Sequence, residues 1–297
     1  MTALRVGTRG SRMALAQTAL VVEKLRAAHP NLEVTIVEIA THGDRDQSTP
    51  LSAGEGQGWF TSVLQQAIQS GEVDIAVHSY KDLPTKRPEG LLIAAVPLRG
   101  DPRDALVSRE RLTLLQLRQG AVVGTGSPRR EAQLKAIRPD LDIRPIRGNA
   151  DTRVRKVDDG EYDATVLGLG GLQRIGLEGR AAEVFGVYDM LPAPAQAAIA
   201  VECRTADAAT RALLAPIDDP SLRQLVTAER SFLARIDAGC HFPAAAYAVH
   251  FGSTLKLHAL LAPNGRIVRS KMSGAAETAA GLGRQLAEEL MALAGMG

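Results

Sequence analysis

The sequence predicts an α/β protein, with two α/β lobes followed by a small α+β C-terminal domain. Three observations carry that prediction. Over the first two-thirds of the 297 residues, short apolar runs alternate with segments of helical periodicity, the pattern of parallel α/β layers. The chain exceeds a typical single domain, so two or three domains are expected. Past Asp218 the alternation gives way to a helix, two alternating strands and a last helix.

Element by element, a strand over 4–7 comes first. Ser11 is placed to cap a helix running to about residue 28, with Leu15, Thr18, Val22 and Leu25 on one face and Pro30 after its end. A second strand spans 34–40. Phe60, Val63, Leu64 and Ala67 mark a second helix, and 73–77 a third strand. Between the second strand and second helix lies THGDRDQSTPLSAGEGQG, a polar, Gly-rich stretch of a length usually reserved for functional or mobile loops. A second series starts near 98, with strands over 105–108, 121–124, 143–146 and 164–169 and helices beginning near Pro128, Ala150 and Gly171. A strand over 197–202 follows the proline-rich PAPAQ. A helix over 221–236 precedes DAGCHFPAAAYAVH. Strands over 253–261 and 267–272 are joined by a Pro-Asn-Gly turn at 263–265, and a last amphipathic helix begins near Gly274.

Composition narrows the function. Aromatic residues are 3% of the chain and the net charge is +2, which argues against a stacking platform for nucleic acid. No apolar stretch reaches the length of a membrane span, and MTALRVGTRGS enters a strand and turn at once, leaving no room for a signal peptide. Two cysteines, Cys203 and Cys240, make no disulfide framework, so a reducing cytoplasm is expected. No oligomerisation face is evident, and a monomer is the expectation. No metal constellation is expected either: His42 with Asp44 and Asp46 is a weak chelating loop without further ligands.

The basic charge is local. Arg129, Arg130, Arg138, Arg144, Arg147 and Arg153 fall within one short segment, mostly where an apolar run meets a turn. A planar guanidinium donates paired hydrogen bonds to a carboxylate or phosphate, so this cluster suggests a groove for a polyanion. Arg138, followed by Pro139, and Arg144 read as solvated surface. In GTGSPRR, Thr125 and Ser127 supply hydroxyls, Gly126 admits close backbone approach, and Pro128 suits the first turn of a helix whose N-terminus attracts anions. GTRGS repeats the design with Arg9 and Ser11, and IRGNADTR adds Arg147 and Arg153. The strand over 73–77 empties into HSYKDLP, placing Ser79, Lys81 and Asp82 where open parallel sheets bind ligands. Cys203 ends an apolar strand and reads as packing. Cys240 stands on a tight loop after a helix, an exposed position that packing does not explain.

These residues resemble one family, the porphobilinogen deaminases or hydroxymethylbilane synthases. The resemblance runs from about residue 4 to 272 and is carried by GTRGSRMALAQ, VHSYKDLPT, DPRDALVS, GTGSPRREAQL, RPDLDIRPIRGNADTRVRKVDDGEYDA and ERSFLARIDAGCHFP. It implies three domains, the first two built like type II periplasmic ligand-binding proteins with a cleft between them. The division would be 1–97 with 196–216, then 98–195, then 217–297, the last carrying the cofactor cysteine. It implies a transferase that joins four porphobilinogen molecules head to tail, releasing ammonia each time, in tetrapyrrole and heme biosynthesis. By the same resemblance Cys240 holds a dipyrromethane cofactor through a thioether. Asp82 is then the catalytic carboxylate, which contacts pyrrole N–H groups and assists deamination and proton removal. Lys81, Asp82, Thr125, Ser127, Arg129, Arg130 and Arg147 correspond to cofactor-binding positions. Arg9, Ser11, Arg147, Arg153, Arg174 and Gln196 correspond to substrate-binding ones. Each pyrrole brings two carboxylates, which gives the arginines a task.

Three departures from the family pattern stand out. Gln57 replaces a lysine in the Gly-rich loop. Ala195 and Ala197 flank Gln196 where glycines are usual, and Ala244-Ala245 follow Pro243. The rival reading is a non-catalytic protein of the same architecture that binds a polycarboxylate or pyrrole ligand. It explains the arginines but gives Cys240 and Asp82 nothing to do.

Overall fold

The computed structural model describes residues 3–40, 61–237 and 242–296. The Gly-rich stretch with Gln57 and the His42 group, Phe60 and Cys240 lie outside the described residues. The chain divides into two compact units, Met1–Arg99 with Ala197–Arg223, and Gly100–Gln196 with Gln224–Gly297.

The first unit opens with β1 (Ala3–Thr8), α1 (Arg12–Ala28), β2 (Glu33–Glu38), α2 (Ser62–Ser70), β3 (Ile75–Ser79) and β4 (Leu91–Ala95). The second contains β5 (Asp104–Ser108), β6 (Val122–Gly124), α3 (Pro128–Ile137), β7 (Asp142–Arg144), α4 (Ala150–Asp158), β8 (Ala164–Gly168), α5 (Leu169–Arg174) and β9 (Glu183–Val184). The chain then returns to the first unit as β10 (Ile199–Arg204) and α6 (Ala208–Leu214). After α7 (Pro220–Ile236) come β11 (Ala244–Phe251), β12 (Thr254–Leu261), β13 (Val268–Ala275) and α8 (Ala279–Leu293).

The first sheet has the order β2-β1-β3-β10-β4 and the second β7-β6-β8-β5-β9. In each, three strands run parallel: β1 with β2 and β3, and β6 with β7 and β8. In each, one strand from elsewhere in the lobe's sequence pairs antiparallel beside the third: β10 against β3 and β4, β5 against β8 and β9. The parallel layers expected from the alternating pattern are thus present as three strands of each sheet, and the antiparallel strands beside them make the sheets mixed. An unbroken apolar run reports burial on both faces but carries no information about strand direction.

Local chemistry sets the element ends. Ser11, at φ −70° and ψ 145°, caps α1 with its Oγ accepting from the Ala14 amide at 3.3 Å. The buried stripe of α1 is Ala14, Gln17, Thr18, Val21, Val22 and Leu25, while Leu15 is only half-buried. Val21 and Leu25 pack on Leu4, Val6, Ile75 and Val201 of the first sheet. Truncating Leu25 there to Ala would cost about 2–5 kcal/mol. In the second unit Leu106, Val123, Leu134, Val166 and Met190 form the corresponding core.

The C-terminal segment pairs β11, β12 and β13 as an antiparallel sheet, covered by α7 and α8 around Phe232, Leu257 and Leu286. The helices approach so closely that a Cβ on Gly283 would run into the Ala228 carbonyl oxygen. β4, β9 and β11 were absent from the sequence expectation, and α8 starts five residues past Gly274, which lies inside β13. Among the described residues no helix is long and apolar enough to cross a membrane.

Candidate anion-binding and catalytic site

Strands β1 and β3 are parallel neighbours, so both end at the same edge of the first sheet. Arg9 and Ser11 follow β1, both half-buried, at the N-terminus of α1. First-turn N–H groups and the helix dipole make such a terminus favourable for an anion. At the end of β3 the Gln17 amide donates to Ser79 Oγ at 2.8 Å. The chain then makes a single 3-10 turn, Tyr80–Asp82. Tyr80 N donates to the Ala198 carbonyl at 3.0 Å, and Leu83 is 1% exposed. Buried anchors on either side therefore fix the turn, with Lys81 half-buried and the Asp82 side chain in solvent. One layer inward, fully buried Glu202 lies 3.2 Å from His78 Nε2 and 3.2 Å from Gln65 Nε2, a group to which the sequence reading assigned nothing.

In the second unit β7, β6 and β8 likewise end together. Beyond β6, Thr125 is fixed by donation from its amide to the Arg144 carbonyl at 2.9 Å, and its Oγ1 accepts from the Ser127 amide at 3.1 Å. Ser127 caps α3, accepting from the Arg130 amide at 3.4 Å, and Pro128 is the first helical residue. The helix start expected at Pro128 is thus in place, and Ser127 serves as its cap. Gly124 is needed beneath it, since a Cβ would come within 2.9 Å of Ile146 and Tyr162.

The side chains that follow do not project into solvent. Arg129 is 4% exposed and Arg130 6%. Arg129 donates through Nη1 to Asp104 Oδ2 and to the Leu191 carbonyl, both at 2.7 Å. Arg130 donates to Asp104 Oδ1 at 2.7 Å and to the Val166 carbonyl at 2.9 Å. Gln196 Nε2 completes the group, donating to Asp104 Oδ1 at 2.9 Å and the Pro102 carbonyl at 2.7 Å. Asp104 starts β5, pairs with Gly168 at the end of β8, and is fully buried. Burial alone would raise its pKa, but the two guanidinium charges outweigh it and hold the carboxyl below the ordinary range. Arg129 is pushed down from its usual value, by burial first and by Arg130 beside it.

Of the other predicted residues, Arg147 and Arg153 follow β7 at that same edge of the second sheet. Arg147 is half-buried in the loop between β7 and α4. Arg153, on α4, donates through Nε to the Gly148 carbonyl at 2.8 Å. Arg174 closes α5, and burial pushes its pKa down to about 10. Arg144 is surface, paired with Asp142 at 2.6 Å. Arg138 is not solvated surface as expected: it ties the end of α3 to Asp140 and to the Leu114 carbonyl. The Asp104 group was missed by sequence reading. Its signal is a carboxylate opening an apolar strand, which needs a buried cation to be tolerated.

Residues 4–212 match the family model described as "Porphobilinogen deaminase, dipyromethane cofactor binding domain", and residues 223–292 match "Porphobilinogen deaminase, C-terminal domain". The chain belongs to the porphobilinogen deaminase family. Curated proteins of that name are similar over nearly its whole length. That of Roseiflexus castenholzii is 47% identical over 97% of this chain and 95% of its own, and that of Acidothermus cellulolyticus 48% identical over 98% and 89%. That of Xanthomonas axonopodis pv. citri is 45% identical over 98% of this chain and 96% of its own. Among solved structures, the methionine binding protein MetQ aligns with a TM-score of 0.48 at 13% identity, covering 72% of this chain and 89% of that one. The Escherichia coli sulphonate binding protein SsuA aligns at 0.42 and 17%, covering 78% and 68%. For a porphobilinogen deaminase the cofactor is a dipyrromethane, a multiply carboxylated group. The second unit's residues fit such a group: two buried guanidiniums share one carboxylate, and Nε of both Arg129 and Arg130 has no hydrogen-bond partner among the described residues.

Proposed function

We propose that this chain, a transferase of tetrapyrrole synthesis, joins four porphobilinogen molecules head to tail with Asp82 as its proton-handling group and Cys240 as the attachment point of the dipyrromethane. When bound, that cofactor supplies a covalent anchor and a pyrrole carbon that accepts the next unit. Asp82 accepts hydrogen bonds from the pyrrole N–H of the incoming substrate and stabilises the positive charge that develops as ammonia leaves. Lys81, Thr125, Ser127, Arg129, Arg130 and Arg147 hold cofactor carboxylates. Arg9, Ser11, Arg147, Arg153, Arg174 and Gln196 hold those of the substrate and the growing chain.

The observation that carries this reading is the placement of Asp82: one carboxylate, its turn anchored on both sides yet itself exposed, at a sheet edge whose neighbouring strand is followed by Arg9 and Ser11. A polycarboxylate binder without catalysis gives that side chain no task beside its basic neighbours. The proposal includes a monomer working in the cytoplasm, a third domain over 217–297, and no nucleic-acid partner. Intact-protein mass tests the attachment. Native protein should carry the mass of two linked pyrroles, and Cys240→Ser should lose it. A native protein of unmodified mass would overturn the reading.

A further inference from the structure

The residues proposed to hold ligand carboxylates include three that do not stand independently. Arg129, Arg130 and Gln196 come from α3 and from the segment before β10, yet each donates to the single carboxylate of Asp104. Oδ2 takes Arg129, while Oδ1 takes Arg130 and Gln196, all within 2.9 Å. Arg130 and Arg129 are further clamped by the Val166 and Leu191 carbonyls. Arg130 is held at both terminal nitrogens and Arg129 at Nη1 alone, each by a carboxylate and a carbonyl that set the direction of its guanidinium. Buried Nε has no hydrogen-bond partner in either arginine among the described residues. The charge count agrees, because two cations against one anion leave a surplus of one positive charge in a buried place. A buried surplus of that sign is costly unless an anion joins it.

We propose that Asp104 is a positioning residue for ligand binding, orienting Arg129, Arg130 and Gln196 so that the pair presents one positive charge to a single ligand carboxylate. This rests on the functional reading above. Two roles for a buried Asp beside two arginines predict opposite outcomes. If Asp104 only neutralises charge, Asp104→Asn raises the surplus and strengthens anion binding. If it positions, the same variant weakens binding although the site has become more positive.

The experiment compares parent, Asp104→Asn and Asp104→Glu. Thermal unfolding is measured first, then the rate at which cofactor-free protein gains the dipyrromethane mass when given porphobilinogen, and finally KM and kcat. Asp104→Glu keeps the buried charge and supplies a folded variant should Asp104→Asn unfold, while its extra methylene displaces the guanidiniums. Expected are cofactor attachment slowed and KM raised about tenfold or more in folded variants, with a smaller change in kcat. Arg130→Lys should then add little in the Asp104→Asn or Asp104→Glu background, because its partner is already lost. Unchanged or lower KM with normal attachment in a folded variant overturns the proposal, and so do additive effects of Arg130→Lys. A parent protein that never gains the adduct sinks the functional reading instead.

Discussion

Asp82 gains its availability from its neighbours. Tyr80 and Leu83 are buried on either side of it, so the turn keeps its shape whatever side chain stands between them. Asp82→Ala should therefore unfold at the parent's temperature while product formation falls at least about 100-fold, the scale of a lost proton-transfer group. A steady-state assay beside a melting curve checks it, and near-parental turnover would remove Asp82 from the chemistry. At this scale much was legible. A hydroxyl before a helix pattern, or a proline at its first position, names a helix start whatever the tertiary setting, and Ser11 and Pro128 sit as read. The partners of Asp104 were not legible, because no local spacing connects Arg129 and Gln196 to it.

Among the elements, the segment around Gln196 departs most from ordinary backbone. Ala195 has φ 60° and Ala197 φ 65°, both left-handed, where an L side chain is disfavoured by about 1–2 kcal/mol. Ala195 is held there in part by its amide, which donates to buried Glu229 at 2.6 Å. Replacing either alanine with glycine removes that strain but loosens the unfolded chain by about 0.4–1 kcal/mol. Ala195→Gly and Ala197→Gly should each leave stability level or raise it by up to about 1 kcal/mol. Ala132→Gly inside α3 should instead lower it by about 1 kcal/mol. Urea midpoints for the three variants decide the matter, and a loss at Ala195 or Ala197 equal to that at Ala132 would mean the turn needs its methyl groups. The sequence signalled this segment through its unusual alanines. It did not signal β11, since Ala-rich PAAAYAVH lacks the alternation that exposes a half-buried strand, and seven of its eight residues are apolar or partly so.

At the level of the molecule, acid sensitivity follows from paired carboxylates. Asp74 is desolvated, which would raise its pKa, but donation from the Arg5 side chain and amide, with Arg204 adding to it, holds the group below its ordinary value. A carboxyl whose folded pKa is depressed stabilises the fold fully above its unfolded pKa, about 4, and loses that contribution as pH falls toward the folded value. Asp74→Asn should thus be less stable than the parent at neutral pH, and the gap should close progressively below about pH 4. Paired denaturation curves across that range check the sign, and a gap that widens in acid would contradict it. The number of lobes and most of their strands were readable from periodicity alone. Strand direction was not, because β5 and β10 are inserted antiparallel beside strands they do not follow in the chain.

That insertion orders the birth of the protein on the ribosome. β10 lies between β3 and β4, yet it is made more than a hundred residues after β4, once every strand of the second sheet has emerged. The sheet begun first is therefore the one completed later, with β3 and β4 lacking their shared partner while residues 100–196 are synthesised. For that interval two apolar strands keep unpaired edges, the state in which nascent chains are most open to wrong pairing and to capture by chaperones.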